Sequence, residues 1–154
     1  MRKNLSKEEI GRAWVTQSQP RAVSSSMSFN GPIFYSYGTA IGAITKDAKG
    51  RRAYLINDGG YSGTTSMHRG IMRAAIPKTA RVFIVPGWDH WVGGSILDHK
   101  RTVKVLLGDA EQYAKDAKAA TRPAHAAKFA KAAKVVLAIA KRHAKAFGVK
   151  PCAE

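Results

Sequence analysis

The stretch that decides the fold, residues 29–75, reads FNGPIFYSYGTAIGAITKDAKGRRAYLINDGGYSGTTSMHRGIMRAA. Its first part holds three short runs rich in β-branched and aromatic residues, at 33–37, 40–45 and 53–56, and turn-forming residues separate them. Strands connected this closely predict an antiparallel meander, and the connection at 47–50 is typical of a hairpin.

A helix is predicted directly after these strands. From Thr64 the apolar residues recur at helical spacing, Pro77 ends the pattern, and Thr64 or Thr65 is the predicted N-cap. The apolar face of this helix comprises Met67, Ile71, Met72 and Ala75.

Shorter elements flank the central stretch on both sides. Upstream, Ser6 and Glu9 have the spacing of a capping box, which predicts a helix over 7–17. The serine-rich residues 21–28 predict a connector, because serine and glycine clusters between periodic segments are typical of loops. Downstream, the compact apolar run at 81–85 predicts a fourth strand.

The C-terminal third of the chain has helical composition. Ser95 and Asp98 predict the start of a helix that runs to about Leu107, where residues 108–109 interrupt or kink it before residues 111–120. The last helix has the clearest pattern, with Pro123 at its first position and Gly148 as its stop signal. Its apolar side comprises Phe129, Ala133, Val136, Ala140, Ala144 and Phe147. Its basic side comprises Lys128, Lys131, Lys134, Lys141, Arg142 and Lys145.

These elements predict an α+β fold with a small antiparallel sheet of about four strands packed with helices, followed by a basic C-terminal helical pair. The predicted organisation has three parts: an N-terminal helix and connector at 1–28, an α+β core at 29–108, and a basic Ala/Lys-rich extension at 109–154. The Ala-rich side of the extension suits packing within the chain or against a second copy.

The charge balance narrows the class of partner. Lys and Arg number 26 against 10 for Asp and Glu, which gives a formal net charge of +16. Self-repulsion of this size is relieved by a polyanion, so nucleic acid is the first candidate partner and an anionic membrane surface the second. A basic protein without a polyanionic partner is the remaining interpretation.

Several classes are disfavoured by simple counts. Cys152 is the single cysteine, which excludes an internal disulfide and a zinc site built from several thiolates. No signal-peptide pattern begins the sequence, and no run approaches the ~20 apolar residues of a membrane span. We therefore expect a soluble cytoplasmic protein.

The basic side of the last helix is the strongest functional feature of the sequence. Lysines and arginines along one helix face follow phosphates without reading bases, so Lys128, Lys131, Lys134, Lys141, Arg142 and Lys145 are the predicted nucleic-acid contacts. Arg69 and Arg73 would add charge. The pattern does not distinguish DNA from RNA, and a lysine face that is only solvated is the alternative.

The block at 61–68 is a second candidate. A helix N-terminus offers unpaired N–H groups, so Ser62, Thr64, Thr65 and His68 form a candidate anion site. The alternative is structural: the threonines cap the helix and His68 packs at its edge. Proton transfer by His68 is a third interpretation.

Other groups of residues give weaker indications of function. The pairs Asp89-His90 and Asp98-His99 invite a metal interpretation, but no spacing places two ligands on one helical face, so no metal site is predicted. No phosphate-binding glycine loop occurs, and no cofactor or catalytic residue is assigned. Aromatic side chains that could stack on bases, with core packing as the alternative, are Trp88, Trp91, Tyr35, Tyr37 and Tyr54.

Two segments carry a resemblance to a known family. Residues 35–42, YSYGTAIG, followed by residues 61–68, YSGTTSMH, resemble a family of small uncharacterised proteins encoded by bacteriophages, in which both patterns occur after a short Trp-containing helix. Gly42 departs from that pattern, which more often has alanine there. The resemblance covers about residues 14–76 and implies a phage origin and a host-cytoplasm setting, without an established activity.

Together these features predict a non-enzymatic phage accessory protein that binds nucleic acid through a basic helical face, mainly by phosphate contacts. The first alternative is a module that docks on an acidic host protein, such as a polymerase or nuclease that it modulates. The second is a hydrolase or nuclease that uses His68 or His90.

Overall fold

The computed structural model describes residues 5–60, 62–86 and 95–150. The elements in chain order are α1 (Lys7–Thr16), β1 (Arg21–Ser24), β2 (Met27–Asn30), β3 (Ile33–Ser36), β4 (Thr39–Lys46), β5 (Arg52–Asn57), α2 (Gly63–Ala75), β6 (Arg81–Val85), α3 (His99–Ala119) and α4 (Pro123–Phe147). The chain divides into two compact units. We call residues Met1–Lys46 with Gly50–Leu97 the sheet unit, and Asp47–Lys49 with Asp98–Glu154 the hairpin unit.

The sheet confirms the predicted α+β class and corrects its details. The described strands form one sheet in the order β1-β2-β3-β4-β5-β6, six strands where about four were predicted. Neighbours from β1 to β5 pair antiparallel, as a meander does. β6 pairs parallel to β5, because the connection between them passes through helix α2, and such a crossover returns the chain in the same direction. The sheet is therefore mixed and not antiparallel.

The two strands that sequence patterns missed lie at the start of the sheet. Residues 21–28, predicted as a connector, form β1 and the beginning of β2. Ala22 and Ser24 face inward, and the Ser24 hydroxyl donates to the Leu5 carbonyl at 2.6 Å. Serine has low strand propensity, but here pairing and burial outweigh it.

The core of the sheet unit forms around Trp14 on helix α1. The predicted capping box is present, with the Ser6 side chain accepting from the Glu9 amide at 3.2 Å. The Trp14 ring meets Phe34 at 5.3 Å and Tyr54 at 5.8 Å in edge-on contacts. Its indole N–H donates to the Pro32 carbonyl at 2.8 Å, so the buried ring leaves no polar group unsatisfied.

Glycine at position 42 has a structural reason. A Cβ built on Gly42 would come 2.2 Å from the Met72 sulfur atom, and Met72 is fully buried. An alanine there requires the thioether to move aside, which a flexible methionine can do at moderate cost.

The hairpin unit contains the two predicted C-terminal helices. α3 begins at its N-cap Asp98, whose carboxylate accepts from the Arg101 amide at 3.0 Å. It continues through Gly108 to Ala119, so an interruption at 108–109 is wrong, whereas the alternative of a kink there stays a prediction. α4 starts at Pro123 and ends at Gly148, which has the left-handed φ of 67° that favours glycine.

Candidate functional site

Helix α4 presents a basic surface to solvent. Its 25 residues include six cations and no Asp or Glu. Every one of the six is exposed: Lys128, Lys131, Lys134, Lys141, Arg142 and Lys145. The side predicted to be apolar is buried or half-buried over its whole length. Packing of that side therefore directs the cations to solvent.

The six cations form two groups along the helix. We call Lys128, Lys131 and Lys134 the first cation group, and Lys141, Arg142 and Lys145 the second. Between them the same helical stripe carries Val135, which is 50% exposed, and Ala138, also exposed. At 1.5 Å per residue, Lys134 and Lys141 lie about 10 Å apart along the axis, and Lys131 and Arg142 about 16 Å apart.

The aromatic residues near this surface are engaged elsewhere. The Phe129 ring stacks with Tyr113 of α3 at 6.4 Å between centroids. The Phe147 ring stacks on His99 at 3.8 Å, with the planes only 8° apart. Both phenylalanines belong to the apolar side of α4, so the basic surface of this helix offers no aromatic face for an unpaired base.

The two arginines predicted to help lie on helix α2 of the sheet unit. Arg73 is exposed. Arg69 is half-buried, and one of its terminal N–H groups donates to the Gly59 carbonyl at 2.7 Å. Arg69 therefore anchors the loop after β5, although its buried Nε has no hydrogen-bond partner among the described residues.

A cluster of hydroxyls and one imidazole lies at the N-terminal end of α2. The Ser36 hydroxyl lies 2.7 Å from His68 Nδ1 and 3.2 Å from the Thr65 hydroxyl. The Ser62 hydroxyl lies 3.3 Å from Thr65, and the Ser26 hydroxyl 3.4 Å from His68 Nε2. We call these five residues the hydroxyl–imidazole cluster. Four of its members come from residues 35–42 and 61–68, and Ser26 lies outside both segments.

The geometry of the cluster favours the structural interpretation of the 61–68 block. Ser62 is the N-cap, accepting from the Thr65 amide at 3.2 Å, so the predicted cap at Thr64 or Thr65 is wrong. Thr64 is exposed and lies outside the cluster. His68 is only 2% exposed, and burial lowers its pKa, with Lys7 contributing to the same shift.

The neutral His68 ring thus lies within hydrogen-bond distance of the Ser26 and Ser36 hydroxyls. Ser26 and Ser36 were not identified from the sequence as its partners. The alternation of β3, which turns Phe34 and Ser36 to the same inward side, is the signal that could have found Ser36.

A second buried histidine lies in the hairpin unit and was also missed. His143 of α4 is 1% exposed, and its Nε2 lies 3.2 Å from His99 Nδ1 on α3. Burial lowers the pKa of His143 to about 4, and His99 and Arg142 push in the same direction. Burial also lowers the pKa of His99, partly opposed by Asp98. This pair joins the helices as neutral rings at pH 7.

The remaining sequence candidates divide between core and surface. Tyr54 is buried beside Trp14, so it does not offer a face to bases. Tyr35 is half-buried, whereas Tyr37 is 66% exposed at a left-handed turn position with φ 51°. Five predicted candidates lie outside the described residues: Tyr61, Trp88, Asp89, His90 and Trp91.

Three further features concern a metal site, a membrane-spanning helix and related proteins. Within residues 5–60, 62–86 and 95–150, no three His, Cys, Asp or Glu side chains gather as metal ligands would. None of the described helices combines the length and apolarity that crossing a membrane requires. No protein-family model, curated protein or solved structure matches the chain. The phage resemblance thus rests on its two sequence segments alone.

Proposed function

We propose that this protein binds nucleic acid through the basic surface of α4, mainly by contacts to phosphates and without catalysing a reaction. The observation that carries the proposal is the uniform exposure of six cations on a helix that has no acidic residue. A phosphate backbone presents a row of negative charges, and binding it releases condensed counterions as lysines replace them.

The chemistry of the surface supports phosphate contacts over base recognition. Lysine is a flexible point charge that suits phosphate oxygens, whereas bidentate base recognition is typical of arginine, asparagine and glutamine. Five of the six cations are lysines, and the exposed residues between the groups are Val135, Leu137 and Ala138. Binding is therefore expected to show little sequence preference.

The hydroxyl–imidazole cluster gives no comparable support for a His68-dependent hydrolase. His68 is buried and already surrounded by hydroxyl groups within hydrogen-bond distance. An acidic host protein would contact the same cations as nucleic acid, so the binding experiment has to distinguish these two partners.

The proposal is tested by replacing three lysines of the basic surface, Lys131, Lys134 and Lys141, with alanine in one variant. Fluorescence anisotropy with labelled DNA and RNA, on nuclease-treated protein across ~50 to 300 mM salt, measures affinity and its salt dependence. Each lost phosphate contact removes about 0.9 from the log–log slope, so we expect the slope to fall by between 2 and 3 units, with at least tenfold weaker binding at about 100 mM salt.

A charge-matched control separates a local surface from overall charge. Lys7, Lys46 and Lys78 are exposed lysines of the sheet unit, and replacing all three with alanine removes the same charge. We expect this control to bind almost as the parent does. Equal weakening by both variants contradicts the assignment to α4, and absence of binding at the lowest salt rejects nucleic acid and leaves the acidic protein partner.

A further inference from the structure

We infer that the nucleic acid is B-form duplex DNA, with α4 lying across its major groove so that the two cation groups contact the phosphates of opposite strands. This inference rests on the proposed function and names its substrate. It starts from the arrangement of the six cations, which is nearly symmetric about the middle of the helix.

The symmetry is visible in three pairs of residues. Lys134 corresponds to Lys141 in an inner pair, Lys131 to Arg142 in a middle pair, and Lys128 to Lys145 in an outer pair. The separations along the helix axis are about 10, 16 and 26 Å. At 100° per residue, the two members of the inner and middle pairs project within about 20° of each other, whereas those of the outer pair diverge by about 100°. The middle of the same stripe is uncharged and is formed by Val135 and Ala138.

The dimensions of this pattern match one nucleic-acid groove. The major groove of B-DNA is about 12 Å wide and admits an α-helix, and both of its walls are phosphate backbones. A helix that crosses it needs cations near its two ends and small side chains between them. The uncharged gap of about 10 Å between Lys134 and Lys141, flanked by cations on both sides, meets this requirement.

Other nucleic acids fit the surface less well. The major groove of A-form RNA is deep and narrow, so side chains on a helix do not enter it. A single strand has one backbone, and proteins that bind single strands stack bases on aromatic rings. The basic surface of α4 carries none, because Phe129 and Phe147 project from its other side and stack on Tyr113 and His99.

The contacts at the centre of the groove would be apolar. Val135 is 50% exposed, and Ala138 follows it on the same stripe, so methyl groups face the base edges. Apolar contact with the thymine methyl is the one base contact such side chains offer, and it discriminates weakly. The expected binding is thus specific for duplex form and tolerant of sequence.

The first experiment compares three ligands of one sequence: a 20-base-pair DNA duplex, the matching RNA duplex, and the single DNA strand. Anisotropy competition at one salt concentration is expected to give at least about tenfold tighter binding to the DNA duplex than to either of the others. Equal or tighter binding to the RNA duplex or the single strand overturns the inference and leaves the proposed function intact. No binding to any of them rejects the proposed function itself.

The second experiment moves one charge without removing any. Replacing Lys141→Ala together with Ala138→Lys keeps the net charge but places a cation in the uncharged gap. The matched control, Lys128→Ala with Ala124→Lys, moves an outer cation away from the centre and preserves the gap, since Ala124 is also exposed. We expect the first variant to lose about fivefold in affinity for the DNA duplex and the control to change little, because spacing and not charge alone sets the phosphate contacts. Equal affinities of the two variants overturn the groove geometry, provided circular dichroism shows both to be as helical as the parent.

Discussion

The hydroxyl–imidazole cluster and the basic surface of α4 show opposite uses of polar side chains. In the cluster, Ser36, Thr65 and His68 are buried, and each lies within hydrogen-bond distance of another member. On α4, six cations point to solvent, and no carboxylate on the same helix offsets them. Buried polar groups must be satisfied internally, whereas exposed charges are hydrated by solvent. The richest sequence motif is thus hydrogen-bonded internally, and the compositionally plain helix carries the proposed binding surface.

The two units also differ in how they are stabilised. The sheet unit buries large side chains, including Trp14, Phe29, Phe34 and Phe83. In the hairpin unit, α3 and α4 bury mainly small or medium ones: Thr102, Val103, Leu106, Ala110, Ala140, His143 and Ala144. Each buried side chain of the hairpin therefore removes less apolar area from water, and we expect changes to its polar pair His99–His143 to have a comparatively large effect on its stability.

The largest effect is expected from Trp14→Ala in the sheet unit. Removing this ring leaves a cavity beside Phe34 and Tyr54, and such changes cost about 3–5 kcal/mol of unfolding free energy. Urea unfolding followed by circular dichroism measures it. Leu106→Ala in the hairpin unit should cost less, because it removes fewer buried atoms and leaves a smaller cavity. A larger loss for Leu106→Ala would reverse the contrast drawn between the units.

The next effect is a pH dependence that originates in the hairpin unit. The pKa of His143 is lowered from its ordinary value near 6.5 to about 4, so the unfolded chain binds this proton first as pH falls. Protonation of His143 therefore leaves the free energy of unfolding unchanged above about pH 6.5, lowers it between about pH 6.5 and 4, and lowers it no further below that range. The total loss from this group is up to about 3 kcal/mol. His68 and His99, whose pKa values are also lowered, act in the same direction.

Urea unfolding at pH 7.0, 5.5 and 4.5 checks this dependence. His143→Gln removes the titrating ring, so the difference between parent and variant should shrink as pH falls through the window. His125, exposed in the first turn of α4, provides the matched control when replaced by glutamine. An unchanged pH profile in His143→Gln would show that the His99–His143 pair does not set the acid sensitivity.

The smallest effect is expected from the cap of α2. Ser62→Ala removes the side chain that accepts from the Thr65 amide, and loss of such an N-cap costs about 1 kcal/mol. Ser66→Ala, at an exposed position within the same helix, should cost nothing measurable, since alanine is the better helix former. Thermal unfolding of the two variants gives the comparison. A loss well above the cap value would indicate that Ser62 holds the whole hydroxyl–imidazole cluster together.

Signals confined to a few neighbouring residues predicted the corresponding elements well. The capping box at Ser6 and Glu9 marked the start of α1, and Pro123 with Gly148 marked both ends of α4. The alternation and turn residues between 33 and 57 predicted β3, β4 and β5. Each of these signals acts through hydrogen bonds or backbone angles within one turn, so no distant residue had to be known.

Features that depend on distant partners were not predictable in the same way. β1 is a strand because its residues pair with β2 and its Ser24 hydroxyl reaches Leu5, despite a serine-rich sequence typical of a loop. The parallel pairing of β6 follows from the path of α2 over the sheet. In the candidate sites, Ser26 and Ser36 meet His68, and His99 meets His143, across 32 to 44 residues of chain.

The sequence by itself determined the helix that carries the basic surface, its ends, its two faces and the spacing of its cations, because helical periodicity places each side chain from its number alone. Only the tertiary structure decided that Ser36, Thr65 and His68 are buried within hydrogen-bond distance of one another. It also decided that Arg69 is held by the Gly59 carbonyl and that buried His143 meets half-buried His99. Burial and hydrogen bonding are properties of the surroundings of a residue, and those surroundings come from parts of the chain far away in sequence.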